Sequence, residues 1–535
     1  MNDKTKISLG ILQSALFIGI SGDYLLRVEP WGLSTFIWVL LVSAALFALS
    51  FYYKRELLTK ETLILQGALL FFASTFLYRA SIPLLLLNVL AVFVIWAVLA
   101  IRSLKLHPKF AGVSHYLLGF VWSGLNLLIS PFLLVFNDVM WKKSNDAGWA
   151  KTLFPIIRGL LIATPLLIIF GGLFMAADAA FEGIIKNTLN IDTSEIFSHL
   201  FLIVFLSWIV AGYLRANFFG SLIPESFSDN KATEEKNVSK RDWRNFNSTW
   251  LPNALTLGKI EVSIIWGLMN LLFLAFVIVQ IPYLFGGFDY VQNTENVKLA
   301  DYARRGVAEL GLVTVLVLPL LLLGHWFLNR ENKTTEKLFK IFAGIQIGLL
   351  FVIMLSSAQR MILYTGSFGY GLTLERFYAL VFLALLAAIF IWFAATILSG
   401  NRQNFAWGML WISLFTLGIL NISNPEDFVF RTNYRLTQEG RKFDVRYVFS
   451  ELEEDATPAM IELLPNLDEK QKCVAINGLM AKHYYLQNAV QTKNWNYSRW
   501  KAKNLIENYR IENNLPQNWQ HTPCQNSYSE NNSFH

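Results

Sequence analysis

Long apolar runs, among them Leu33 to Tyr53, Ile82 to Ile101 and Val262 to Leu284, succeed one another along this chain with only short charged loops between them. About 20 consecutive apolar residues span the hydrocarbon core of a bilayer as a helix, and a chain with about 11–13 such segments is a polytopic membrane protein. Inside hydrocarbon the backbone finds no water to bond, so each run must satisfy its own N–H and C=O groups as a helix. A membrane barrel needs alternating apolar and polar residues, and none is seen. The expected fold is therefore all-α, a polytopic transmembrane helix bundle.

Composition agrees. With 54% hydrophobic and only 16% charged residues, the chain is too apolar for an ordinary soluble protein. Its formal charge of +7 could suggest nucleic acid. The basic residues, however, sit in loops beside the apolar runs (Lys54 and Arg55; Arg102, Lys105 and Lys109; Lys142 and Lys143), which is the positive-inside distribution. No nucleic-acid partner is expected; membrane lipid is. Lys4 and Lys6 precede the run Ile7 to Ile20 without a small-residue cleavage site, so the first segment reads as a retained helix.

Spans are expected near Ile7 to Gly22, Leu33 to Tyr53, Thr62 to Tyr78, Ile82 to Ile101, Tyr116 to Phe136, Phe154 to Ala177 and Phe197 to Leu214. In the second half they fall near Val262 to Leu284, Gly306 to Leu328, Ile341 to Ser357, Phe377 to Leu398 and Phe405 to Leu420. Five regions follow: a first membrane half (1–216), a polar flexible loop (217–259), a second membrane half (260–422), a small helical extramembrane domain (423–522) and a disordered tail (523–535). The loop lacks any apolar period. In the small domain apolar residues recur at helical spacing, as at Met460, Leu463 and Leu464.

Two topologies are open. If all the basic loops are cytoplasmic, Tyr116 to Phe136 enters and leaves on one side, which Pro131 permits, and the C-terminal domain lies outside. If that segment spans simply, the domain is cytoplasmic. The first is favoured. The only cysteines, Cys473 and Cys524, fall in this domain, and a disulfide between them requires the outside location. Their spacing supports no zinc site.

A charge at the bilayer midplane costs about 2.5–3.5 kcal/mol on insertion scales, so one retained there marks an ion or proton pathway. Here Arg158, His199, Glu309 and His325 lie near segment ends, and the centres carry only neutral polar groups, Asn88, Asn270 and Gln346. The reading for those three is an interhelical hydrogen bond. Gly344 and Gly348 form a small-xxx-small pair. Charges gather instead beyond the helix ends on the proposed outer side. Asp178 and Glu182 follow one helix, Tyr302, Arg304, Arg305 and Glu309 open another, and Arg360, Tyr364, Glu375 and Arg376 flank a loop. Ordinary anchoring and ion pairing explain such a rim; it could also dock the C-terminal domain, a lipid head group or an anionic ligand.

Several stretches resemble bacterial polytopic membrane proteins of the domain of unknown function four-one-seven-three family, related to the four-one-five-three group. They include Ile157-Arg158-Gly159 through Asp178, Tyr283-Leu284-Phe285-Gly286-Gly287, and Tyr302-Ala303-Arg304-Arg305-Gly306. Tyr370-Gly371-Leu372-Thr373, Asn424-Pro425, Asn433, Asp444, Tyr447, Asp455-Ala456-Thr457-Pro458 and Trp495-Asn496 with Ser498-Arg499-Trp500 continue it. The resemblance covers nearly the whole chain, departs at Arg431-Thr432, and implies an integral protein of a bacterial cytoplasmic membrane with no established activity or cofactor.

Among functions, a membrane scaffold or sensor comes first, docking its C-terminal domain, a lipid or a protein partner at the rim. A transporter of a neutral or amphiphilic solute is the alternative. An enzyme comes last: Glu182, Glu309, His199 and His325 lie on separate helices, and there is no P-loop, GxSxG elbow, HExxH helix or paired CxxC. No catalytic, metal or cofactor-binding residue is assigned. Trp495 and Trp500 are expected to pack the small domain or touch the membrane surface.

Overall fold

The computed structural model describes residues 3–27, 29–100, 113–139, 193–219, 256–285, 299–328, 333–365, 371–440, 444–489 and 492–516, with isolated positions between 156 and 178. Among them ten helices are long and apolar enough to cross a membrane, and Gly311–Trp326 forms a shorter apolar stretch. No strand occurs among the described residues beyond one isolated bridge, Leu257 to Leu328. The chain is a multi-pass, all-α membrane protein.

The helices divide into two compact units, one of Met1–Ser239 with Tyr485–Lys501, the other of Lys240–Tyr484 with Ala502–His535. The first unit contains α1 (Asp3–Leu26), α2 (Leu33–Tyr53), α3 (Lys60–Tyr78), α4 (Ile82–Ala100), α5 (Val113–Leu133) and α6 (Thr193–Phe219). α1 and α6 run antiparallel, because Asp23 near the end of α1 meets His199 while Lys4 at its start lies over the Phe219 ring. Gly19 allows their close approach: a Cβ there would sit 1.9 Å from Ser207 Oγ and 2.8 Å from the Ile203 carbonyl oxygen. Lipid chains supply no hydrophobic drive between helices, so such small-residue contacts carry the packing.

α5 holds Pro131 and runs on into a π-turn, Leu134–Asp138, the local widening expected where a ladder bond is lost. Asp138, at its far end, bonds to Lys4 and Arg215.

The second unit contains α7 (Lys259–Phe285), α8 (Leu299–Trp326), α9 (Lys333–Thr365), α10 (Leu374–Phe393) and α11 (Phe405–Ser423). Trp266 of α7 meets Phe339 of α9 edge-to-face at 5.5 Å, and Gly324 of α8 packs against Trp266. Beyond α11 follow the polar helices α12 (Pro425–Gln438), α13 (Val445–Ser450), α14 (Thr457–Leu463), α15 (Glu469–Ala489) and α16 (Tyr497–Glu512). The α11–α12 junction is set by Asn424, whose left-handed backbone (φ 51°) and side-chain cap on Asp427 N–H put Pro425 at the first helical position. Proline there costs no hydrogen bond. Cys473 on α15 is disulfide-bonded, and Cys524, the only other cysteine, lies outside the described residues.

Candidate functional site

In the first unit a short segment before α16 is bonded to the loops that join α1 to α2 and α3 to α4. Asn496 is its centre. Its Oδ1 caps α16 by accepting from Arg499 N–H at 3.1 Å, and its Nδ2 donates to the carbonyls of Phe76 (2.9 Å) and Arg79 (2.8 Å). The last carbonyls of α3 have no intrahelical partner, so a side-chain amide from elsewhere satisfies them. Asn494 Nδ2 donates to the Glu29 carbonyl at 3.0 Å, and Arg499 donates to that of Trp31 at 3.0 Å. Two main-chain bonds complete the contact, Leu33 N–H to Trp495 O and Ser34 N–H to Lys493 O. Asn494, Asn496 and Arg499 are buried, while Tyr497 and Trp500 beside them stay exposed.

A comparable contact forms within the second unit. Asn433 on α12 pairs through both amide atoms with the main chain of Leu372, accepting from its N–H at 2.6 Å and donating to its carbonyl at 2.7 Å. Tyr447 on α13 accepts from Leu374 N–H at 2.8 Å. Burial raises the Tyr447 phenol above its ordinary range, keeping it a neutral acceptor. Arg376 donates to the Gly371 carbonyl at 2.5 Å, and Thr373 caps α10. The turn before α10 is therefore held by the helices that follow α11.

Of the rim predicted from sequence, Arg376 joins this contact and Arg360 is buried near the end of α9. Asp178 is exposed and donates its N–H to the Phe174 carbonyl. Glu182 lies outside the described residues. Tyr302, Arg304, Arg305, Glu309 and Tyr364 belong to α8 and α9, but their side chains lie outside the description. The intramembrane polar residues differ among themselves. Asn88 is buried in α4, Asn270 donates to the Phe342 carbonyl across the α7–α9 contact at 3.0 Å, and Gln346, 0% exposed, has no hydrogen-bond partner among the described residues. Gly344 and Gly348 are not a packing seam, since nothing lies within 4 Å of a Cβ placed at either.

Two ionic clusters sit at opposite ends of the α1–α6 pair. At one, Asp23 binds Arg27 (2.7 Å) and His199 (2.5 Å), and Arg27 reaches Ser198 (3.0 Å). At the other, Asp138, 0% exposed, binds Arg215 at 2.6 Å and Lys4 at 3.2 Å, with Arg215 also donating to Ser130. A buried carboxylate needs such partners because desolvation alone would be prohibitive. No linear motif announced this triad: Arg215 and Asp138 are 77 positions apart.

The polar helices of the second unit hold a further cluster. Lys482 donates to the Leu452 carbonyl; burial holds its ammonium below the ordinary lysine range although Glu454, Glu426 and Glu453 pull the other way. His483 is paired with Glu507 at 2.9 Å, and Glu507 with Arg510 at 2.8 Å. No group of three or more His, Cys, Asp or Glu side chains suited to a metal occurs among the described residues.

The helices and their bonded loops define a multi-pass membrane protein whose post-membrane helices are fastened to the ends of its spans. Residues 66–463 match the family described as Domain of unknown function (DUF4153), and the chain belongs to that family. Of the two related groups that its motifs resemble, the match is to the four-one-five-three group. No curated protein and no solved structure matches the chain.

Proposed function

We propose that the protein is a scaffold or sensor of a bacterial cytoplasmic membrane whose C-terminal helices lie on the outer face. There they dock on loops of the spans and offer a partner surface. The observation that carries this reading is the bonding of Asn494, Asn496 and Arg499 to the α1–α2 and α3–α4 loops. In the first unit the opposite helix ends carry Lys4, Lys6, Lys54, Arg55 and Lys60, against Arg27 and Arg79 on the docked side. Cytoplasmic loops are the ones enriched in Lys and Arg, so the docked side faces out. The disulfide at Cys473 agrees, because such bonds persist in oxidising compartments. Tyr497 and Trp500, 44% and 45% exposed next to the docked residues, form the aromatic face offered to a protein or to the membrane interface.

Trypsin treatment of spheroplasts tests this. The wild-type chain should resist cutting at Lys493, and Asn496→Ala should be cut there from outside. Cleavage that requires permeabilised membranes would overturn the orientation, and equal cleavage of both chains would overturn the docking. A second reading, a carrier of an amphiphilic solute, is favoured by an apolar chamber in the first unit.

A further inference from the structure

That chamber, about 510 Å³, is a half-open cleft among α1 to α6 and is lined chiefly by aromatic and aliphatic side chains. Its volume lies within the range of about 300–1,000 Å³ typical of small-molecule sites. Trp38, Trp96 and Tyr213 form a contiguous aromatic wall, with ring centroids 6.0 Å apart at each step. Phe93, Phe120 and Phe205 line the chamber and are also 58%, 39% and 48% exposed on the exterior of the helices. In a bilayer that exterior is lipid, so the chamber is continuous with the acyl-chain phase.

Polar atoms interrupt the apolar lining at Thr35, Trp96, Ser123 and Tyr213. Thr35, 7% exposed in the first turn of α2, and Trp96 both line the chamber, and neither Thr35 Oγ1 nor Trp96 Nε1 has a hydrogen-bond partner among the described residues. Indole N–H donates only, and a hydroxyl donates readily. Buried donors without acceptors are costly, so the missing partner is an acceptor carried on an otherwise apolar molecule.

We infer that the chamber binds one acyl chain of a membrane phospholipid, with an ester carbonyl accepting from Thr35 or Trp96. An isoprenoid chain has no acceptor along its apolar length, and a simple alkane has none at all. The ester of a phospholipid sits at the boundary between head group and chains, the depth at which the first turn of a span lies. The site rests on the geometry of the first unit alone, so its failure would leave the docking of the C-terminal segment untouched.

The probe is phosphatidylethanolamine carrying a diazirine on one acyl chain, mixed into phosphatidylethanolamine–phosphatidylglycerol vesicles that hold the full chain. Photolysis should label peptides of α4 and α6 around Trp96 and Tyr213. Gly124 lines the chamber with nothing within 4 Å of a Cβ placed there, so Gly124→Leu puts a branched side chain at that open position and should abolish that labelling. The double variant Thr35→Val, Trp96→Phe removes these two donors and leaves the lining apolar and aromatic at both positions. It should weaken lipid retention about 3- to 10-fold, the equivalent of one lost hydrogen bond. Equal labelling of the wild-type chain and of a monodisperse Gly124→Leu chain would overturn the proposal, as would retention unchanged in the double variant. A diazirine-bearing isoprenoid phosphate that labels the same peptides and displaces the phospholipid would overturn the assignment of the ester.

Discussion

The side-chain amide of Asn433 pairs with the main chain of Leu372 in both directions, with bonds of 2.6 and 2.7 Å. A side chain here does what a neighbouring strand would do elsewhere, and only an amide offers a donor and an acceptor at that spacing. Asn433→Asp removes the donor and buries a charge against a carbonyl; Asn433→Ala strands both main-chain groups. Each is expected to cost about 1–3 kcal/mol, read as a lower melting temperature of the detergent-solubilised protein.

Gly371 beside it has φ +69°, and a Cβ there would come within 2.7 Å of Asn433 Oδ1. Gly371→Ala should destabilise by at least about 1 kcal/mol through backbone strain, and more through displacement of the amide. A melting temperature equal to that of the wild-type protein would contradict this account of the turn.

The Lys4–Asp138–Arg215 triad predicts asymmetric mutational effects. Asp138→Asn leaves the Arg215 guanidinium, 3% exposed, without its carboxylate and should cost about 3–5 kcal/mol, whereas the apolar pair Asp138→Leu, Arg215→Met should cost far less. Denaturation of the single and double variants gives the comparison.

Acid should loosen the polar helices. Burial holds the His483 imidazole below its ordinary value despite Glu507, and Arg510 holds the Glu507 carboxyl low. Both groups bind protons more weakly folded than unfolded, so their contribution is present above the unfolded values. It is lost as pH falls, first for His483 below about 6.5 and then for Glu507 toward about 4. Hydrogen exchange of α15 and α16 should rise below pH of about 6.5 in the wild-type chain. His483→Gln should remove the first phase.

An impermeant maleimide should label Cys473 on intact cells only after reduction. Labelling without reductant, seen only in inverted vesicles, would put the domain in the cytoplasm and sink the proposed orientation.

Helix positions were legible because apolar length is a local property. Leu33 to Tyr53 coincides with α2, and Ile82 to Ile101 begins with α4 at Ile82 and follows it to Ala100, the last described residue there. The first span is longer than its apolar run, starting at Asp3 and ending at Leu26, because Lys4 and Asp23 find ionic partners at its two ends. The bonded contacts were not legible. Trp495 and Trp500 stand out in the sequence by their size, yet the buried bonds are made by Asn494, Asn496 and Arg499, whose acceptors are backbone carbonyls that no side-chain pattern betrays. Several short motifs behind the family resemblance, Asn424-Pro425, Thr373, Asp444 and Asn496, are helix caps. Caps recur at fixed places in a fold without signalling chemistry, which is why they named a family and not an activity.

Asn496 lies 420 positions after Phe76, whose carbonyl it satisfies. A ribosome has thus threaded every span into the bilayer before the earliest turns receive their last partners, and a prematurely stopped chain leaves those turns open. The first spans therefore hold turns whose closing bonds come from residues made more than 400 positions later.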